Sequence, residues 1–277
     1  MVADFLLSGF ADEIDPSLDA QIATLKRLSI PGLDLRSVDG TNVLDLSTDQ
    51  LVQINDKCKA EGIHVQCIGS PVNKIDYDVL LQGRELDRLD KAIKAANLVN
   101  TRRIRVFSPR APQGKEDEFP GRILSWLQEQ KARCEREGIT LLLENDDTYW
   151  NAYPETAKKM FVALGGPNFK AAFDFSNTVL IGFRPMRDWF PWLLPHLDTL
   201  HIKDAIESEH RIVPAGGGDG QIEETLRWLI EQGWSGPLTL EPHLSAAGPL
   251  GGFSGAQLFE EATNALRRIL ERVGVAA

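Results

Sequence analysis

Thr140-Leu141-Leu142-Leu143-Glu144 is a short apolar run that ends in a carboxylate, and the pattern recurs three times further along the chain. Ala171-Ala172-Phe173-Asp174, Thr199-Leu200-His201 and Leu238-Thr239-Leu240-Glu241 repeat it, with the polar ends spaced by 30, 27 and 40 residues. Each spacing fits one strand-helix unit of roughly 30 residues. Strands buried in a parallel sheet read as continuous apolar runs, so a polar terminal residue has no packing reason to be there. One such residue reads as a satisfied core polar group. Four in succession point to a shared site at one end of a parallel sheet.

Outward from these runs the chain alternates strand-like and amphipathic helix-like segments, the pattern of α/β architecture. The strand candidates start at Phe5, Gly32, His64, Ile104, Leu141, Ala171, Leu200 and Leu238. Eight pairs predict a single (β/α)8 TIM barrel over residues 1–277, close to the typical ~250 residues of that fold. Asp15-Pro16, Ser47-Thr48-Asp49-Gln50 and Ser254-Gly255-Ala256-Gln257 read as helix caps at the starts of three helices. The charges between Gln82 and Asn97 fall at helical spacing and read as a solvated outer face.

The net charge of −10, without a Lys/Arg-rich block, excludes the electrostatic footprint of a nucleic-acid binder. Cys58, Cys67 and Cys134 lack CxxC spacing or histidine neighbours, which fits reduced thiols in a cytoplasmic protein. No signal-peptide pattern and no run of about 18 apolar residues is present, so neither secretion nor a membrane span is expected.

Catalytic groups of such barrels lie at the C-terminal strand ends, where Glu144, Asp174, His201 and Glu241 all fall. Alternation along a strand pairs Glu144 with Asp146, Asp174 with Ser176, His201 with Lys203 and Glu241 with His243. The inner member of each pair would bind an ion and the outer one meet a substrate. Three carboxylates and one imidazole suit one divalent ion of the manganese, magnesium or cobalt type better than a closed structural zinc site. Manganese is the first expectation, with magnesium, cobalt and zinc as alternatives. An ion with open positions can chelate neighbouring sugar oxygens, polarise a carbonyl and stabilise an enediolate. Glu144 and Glu241 are the candidates for the catalytic base and acid.

These residues, together with Gly9-Phe10-Ala11-Asp12-Glu13-Ile14, Ile68-Gly69-Ser70-Pro71, Ile104-Arg105-Val106-Phe107-Ser108, His201-Ile202-Lys203-Asp204, Pro214-Ala215-Gly216 and Leu240-Glu241-Pro242-His243, make the chain resemble the sugar phosphate isomerase/epimerase family. These are the xylose isomerase-like barrels, which also include ketose 3-epimerases and the apurinic endonuclease. The resemblance spans nearly the whole chain. It implies that Glu144, Asp174, His201 and Glu241 hold one ion, and that the two glutamates work on opposite faces of a substrate carbon. Barrels of this family often form dimers or tetramers, and no interface signature is visible here.

Ketose 3-epimerases usually carry a histidine three residues past the aspartate ligand and an arginine six past the histidine ligand. This chain has Asn177 and Glu207 there. Arg211 is then the stand-in for the missing arginine, and Lys203, His243, Arg105 and Asn177 complete the expected substrate contacts. Arg105 enters through the resemblance alone, and Arg36 reads either as a pocket residue or as an ion-pair partner. His64, His196 and His210 read as core or surface residues.

Ala215-Gly216-Gly217-Gly218-Asp219-Gly220 reads as a phosphate-holding loop or as a plain loop with Asp219 as a helix cap. Gly248 to Phe253 reads as a flap or a plain loop. Trp189 and Trp192 read as helix packing, with an aromatic wall for a glycosidic substrate as the alternative.

The expected activity is a metal-dependent isomerase or epimerase acting on a small ketose or keto-sugar. The alternative is a lyase or dehydratase using the same site on an inositol derivative or a 3-keto-glycoside. A nuclease is disfavoured by five histidines and the acidic balance. A non-catalytic sugar binder would leave two glutamates in the ligand set without a task.

Overall fold

A computed structural model describes residues 5–110, 120–248 and 251–275. Eight parallel strands form the barrel: β1 Leu6–Gly9, β2 Gly32–Leu35, β3 His64–Ile68, β4 Arg103–Val106, β5 Thr140–Glu144, β6 Phe169–Asp174, β7 Leu197–Ile202 and β8 Pro237–Leu240. Their hydrogen-bonded order is β1-β8-β7-β6-β5-β4-β3-β2. All eight predicted strands are present, and the near-closed barrel confirms the expected fold.

The circle is completed between β1 and β2 by side chains rather than by a ladder. Ser8 Oγ donates to Asp34 Oδ2, which also accepts from Thr239 Oγ1 at 3.2 Å. Gly32 permits this closeness, since a Cβ there would stand 2.7 Å from the Ser8 Cβ. Burial pushes the Asp34 carboxyl above its usual range, with the Ser8 hydrogen bond opposing the shift.

Helices α1 Leu18–Arg27, α2 Thr48–Ala60, α3 Gln82–Leu98, α4 Pro120–Arg136, α5 Pro154–Leu164, α6 Phe175–Val179, α7 Phe190–Leu193, α8 Ile222–Glu231 and α9 Gly255–Arg272 follow the strands. In α9 the buried residues Phe259, Ala262, Thr263, Leu266, Ile269 and Leu270 recur at three and four positions, so one face seals the barrel exterior. Among the described residues no helix is long and apolar enough to cross a membrane.

Local signals fared unevenly. Ser47 and Gln50 form the expected capping box of α2. Ser254 precedes α9, but its hydroxyl is spent on Glu13 Oε2 and on the Leu244 N–H, so it makes no cap hydrogen bond. Asp15 accepts from Ser17 N–H as a turn before α1, whose N-cap is Ser17. Glu85 departs from the solvated face of α3: it is fully buried and accepts the Asn73 N–H at 2.7 Å. Trp189 is buried in an aromatic cluster with Phe173 and Trp192, which settles it as packing. Pro249 and Leu250, within the Gly248 to Phe253 segment read as a flap or a plain loop, lie outside the described residues.

Candidate metal centre

Glu144 and Asp174 end β5 and β6, His201 is the penultimate residue of β7, and Glu241 follows β8 directly. Asp174 and His201 are register partners across β6 and β7, and Thr239 pairs with His201 across β8 and β7. Strand geometry therefore brings together residues far apart in sequence. All four are buried, and one ligand atom from each lies within 4.8 Å of the others. His201 Nδ1 is 3.6 Å from Glu144 Oε1 and 3.3 Å from Glu241 Oε2.

The surroundings orient these groups. Asp174 Oδ1 accepts from Ser176 Oγ and from the Asn177 N–H, both at 2.9 Å, which leaves Oδ2 for the cluster. Asn145 bridges to the Asp174 backbone in both directions at 2.8 Å, and Asn151 Nδ2 donates to the Glu144 carbonyl. Phe10 meets the His201 ring edge-on at 5.3 Å.

Glu144 Oε2, Asp174 Oδ2, His201 Nδ1 and Glu241 Oε2 are buried and make no hydrogen bond. Leaving a buried polar atom without a hydrogen bond costs about 1–3 kcal/mol, and these four keep only ion-pair contacts with one another, Lys203 and Arg105. A divalent ion would complete all four, and three oxygens with one nitrogen are a suitable donor set. The residues present therefore fit such an ion.

Three buried cations share the carboxylates. Lys203 Nζ stands 2.9 Å from Asp174 Oδ2 and 3.9 Å from Glu241 Oε2. Arg105, held between the rings of Phe10 and Phe107 at 4.9 Å from each, approaches Glu144 Oε2 at 3.1 Å. Arg36 donates to Glu241 Oε1 at 3.0 Å and to Asp12 Oδ2 at 2.8 Å.

Charge fixes the protonation pattern. Burial raises the Glu144 carboxyl, but Arg105 and His201 outweigh it and hold it down at about 2. Burial disfavours the His201 imidazolium, and Glu144 and Glu241 overcome that, raising it to about 10. Glu241 is held well below its usual range: Lys203 and the imidazoles of His201 and His243 overcome its burial. Burial lifts Glu13 to about 8, against the pull of Arg36. His243 is driven down to about 4 by burial and by Lys203. Its Nε2 sits 3.2 Å from Glu13 Oε1 and 3.4 Å from Glu241 Oε1.

The cluster opens into a cavity of about 420 Å3, in the size range of small-molecule sites. Lys203, His243, Arg105 and Asn177 all line it. Arg211 does not: its side chain is exposed and paired with Glu209, and the hairpin Asp204–Ile206/Arg211–Val213 turns His210 and Ile212 to the cavity instead. Sequence reasoning missed Lys74, Arg110 and Tyr149 in the wall. Arg36 had a signal, since Leu33-Asp34-Leu35-Arg36 is also a strand run with a polar end.

The glycine loop is already filled. Asp204 accepts the N–H groups of Ala205, Gly216, Gly218 and Gly220 at 2.8–3.1 Å. A Cβ on Gly218 or Gly220 would lie 2.6 Å from Asp204 Oδ1. Asp219 accepts from the Glu207 N–H and is not the helix cap, a position held by Gln221.

The profile of the xylose isomerase-like TIM barrel family matches residues 24–269. The chain belongs to that family. Among solved structures it is similar to a D-tagatose 3-epimerase-like protein (TM-score 0.80, 16% identity, 97% of this chain and 98% of the other). It is also similar to the probable 3-DHS dehydratase AsbF of Bacillus anthracis (0.73, 13%, 95% and 98%). A third is a xylose isomerase-like barrel from Mycobacterium smegmatis in complex with magnesium (0.70, 14%, 98% and 97%). No curated protein sequence gives a significant match.

Proposed function

We propose that the chain is a divalent-metal-dependent isomerase or epimerase of a small ketose or keto-sugar, working by proton abstraction next to a carbonyl. The observation that carries this reading is the meeting of Glu144, Asp174, His201 and Glu241, each with a buried ligand atom that makes no hydrogen bond, beside a sugar-sized cavity that Glu144 and Glu241 line. When bound, a divalent ion, with manganese the first expectation, supplies a Lewis acid that polarises the carbonyl and stabilises the enediolate.

The chain's own residues supply the rest. Glu144 and Glu241 enter from β5 and β8, and both are held ionised at neutral pH, so either can take a proton. In an epimerase one glutamate removes the proton and the other, after taking up a proton from water, returns it to the opposite face; a single base gives isomerisation. Lys203 and Arg105 place positive charge beside the carboxylates, where charge develops on the substrate. His243 and Asn177 contact the substrate's hydroxyls from the cavity wall.

The second reading is a lyase or dehydratase acting on an inositol derivative or 3-keto-glycoside. It shares the first step and is favoured by the likeness to the probable dehydratase. A cytoplasmic setting belongs to the same proposal, since Cys58, Cys67 and Cys134 are all free and buried.

Proton NMR of manganese-loaded protein in deuterated water tests this with ketoses, ketose phosphates, inosose and 3-keto-glycosides. Chelator-sensitive deuterium uptake next to the carbonyl is expected, and the product separates epimer, aldose and eliminated fragment. Absence of exchange with every candidate, in protein shown to hold the ion, would overturn the reading.

A further inference from the structure

We propose that Lys74 is a substrate-binding residue, paired with Asp146, for the end of the substrate remote from the ligand cluster, and that this pair selects a neutral hydroxylated group over an anionic one. The inference rests on the sugar reading above and specifies which sugars that site takes.

Lys74 follows directly on a residue held by a buried polar network, which also ties Arg84 and Arg88 to Glu85. Asn73, at φ 67, bonds reciprocally with the buried amide of Gln130 at 2.7 and 2.9 Å and donates to the Phe107 carbonyl at 2.9 Å. Its N–H is held by Glu85. Asn73, Gln130 and Glu85 all have 0% exposure. A left-handed asparagine sustained by a buried network is strain that surrounding structure must hold in place. Such a supporting shell is what a precisely aimed contact requires.

The Lys74 ammonium lies 4.6 Å over the Phe107 ring and 3.0 Å from Asp146 Oδ2, at the wall of the same cavity. The pair is mostly buried, with side chains 17% and 13% exposed, and the part left open lines the cavity. Asp146 lies two residues past Glu144, beyond the end of β5, so the pair stands on the cavity wall outward of the cluster, where the remote end of a bound sugar would lie.

The choice of a neutral group follows from where the other charges are committed. Barrels of this type often hold phosphate at the loops after the seventh and eighth strands, but here the glycine loop is occupied by Asp204. Of the lysine and arginine side chains in the outer wall, Lys74 has Asp146 and Arg110 has Asp76. Asp147 adds a further acid beside Asp146. Neither Lys74 nor Arg110 is left uncommitted for a phosphate. A Lys–Asp pair offers donors and acceptors together, the complement of vicinal hydroxyls.

Equilibrium binding tests this without relying on turnover. Manganese-loaded wild type, Lys74→Met and Asp146→Asn would be titrated calorimetrically with D-tagatose, D-fructose and D-ribulose, and with the phosphate ester of each. In wild type at least one free ketose is expected to bind tenfold or more tightly than its ester. Lys74→Met should weaken that ketose by five- to twentyfold while the manganese affinity stays within twofold. Tighter binding of the esters, an unchanged ketose affinity in Lys74→Met, or no binding by any free ketose would each overturn the proposal. Ketose binding that depends on Lys74 without deuterium exchange would instead overturn the isomerase reading and leave the Lys74 contact standing.

Discussion

Loading the ion should displace a proton from His201, and the cost of doing so can be worked from the site. His201 Nδ1 lies between Glu144 Oε1 and Glu241 Oε2, and their charge raises its pKa to about 10. At neutral pH the nitrogen that would bind the ion carries a proton. Because binding releases that proton, affinity must rise with pH, tenfold per unit, at every pH below the imidazole's pKa. Between pH 6.5 and 8.5 the apparent manganese affinity should strengthen about a hundredfold, or about 2.7 kcal/mol. Calorimetric titration at both pH values, in two buffers of different ionisation enthalpy, reads the affinity and the proton count together. About one proton per ion is expected from His201. Asp174, whose carboxyl burial pushes up against the pull of Lys203, can only steepen the dependence. A flat affinity with no proton released would show that His201 is neutral before loading and would refute the ion-paired account of the cluster.

Glu144→Gln and Glu241→Gln should each lower kcat by at least about 100-fold, the scale of general acid–base contributions, with metal content measured in the same samples. Arg211→Ala should leave kcat/KM within twofold, because the side chain is exposed on Glu209. Glu13 is raised from 4.5 to about 8, so the folded state holds its proton more tightly than the unfolded one. Its stabilising contribution is full below pH 4.5 and is lost as pH rises through 8, by up to about 5 kcal/mol. Urea unfolding at pH 6 and pH 9 should show the part of this loss that falls between pH 6 and 8, about 2.7 kcal/mol, in wild type and a smaller one in Glu13→Gln. Asp204→Asn turns an amide N–H toward the backbone donors, which should cost about 2–3 kcal/mol and lower the Tm by about 4–10 °C.

The meeting of the four proposed ligands was legible because the barrel imposes a simple rule: an apolar strand that ends in a polar group delivers it to one rim. Glu144, Asp174, His201 and Glu241 obey it, as do Lys203 and His243 by alternation. The rule stops where the chain leaves the strands. Arg211 and His210 exchange places because the hairpin after β7 decides which residue faces inward, and that decision rests on cross-strand pairing. Ser254, Asp15 and Asp219 read as caps because a short polar side chain before a helix has few local uses. Ser254 and Asp219 were spent on Glu13 and on the Glu207 N–H, partners that neighbouring sequence does not reveal. Lys74 and Glu85 were hidden for the same reason: the amide network that unites them runs through Gln130, on another helix.

The joint between β1 and β2 carries a consequence for the whole molecule. Elsewhere each stave of the barrel is fastened to the next by a backbone ladder, but here the fastening is one carboxylate, Asp34, which takes the Ser8 hydroxyl of β1 and, from one strand further round, the Thr239 hydroxyl of β8. Two residues further along the same strand run, Arg36 grips Glu241 and Asp12. Any breathing at the joint therefore tugs on the guanidinium that anchors the eighth strand's glutamate. Closing the barrel and setting the angle of Glu241 are coupled through one strand run, and a loosened seam would be felt first at Glu241.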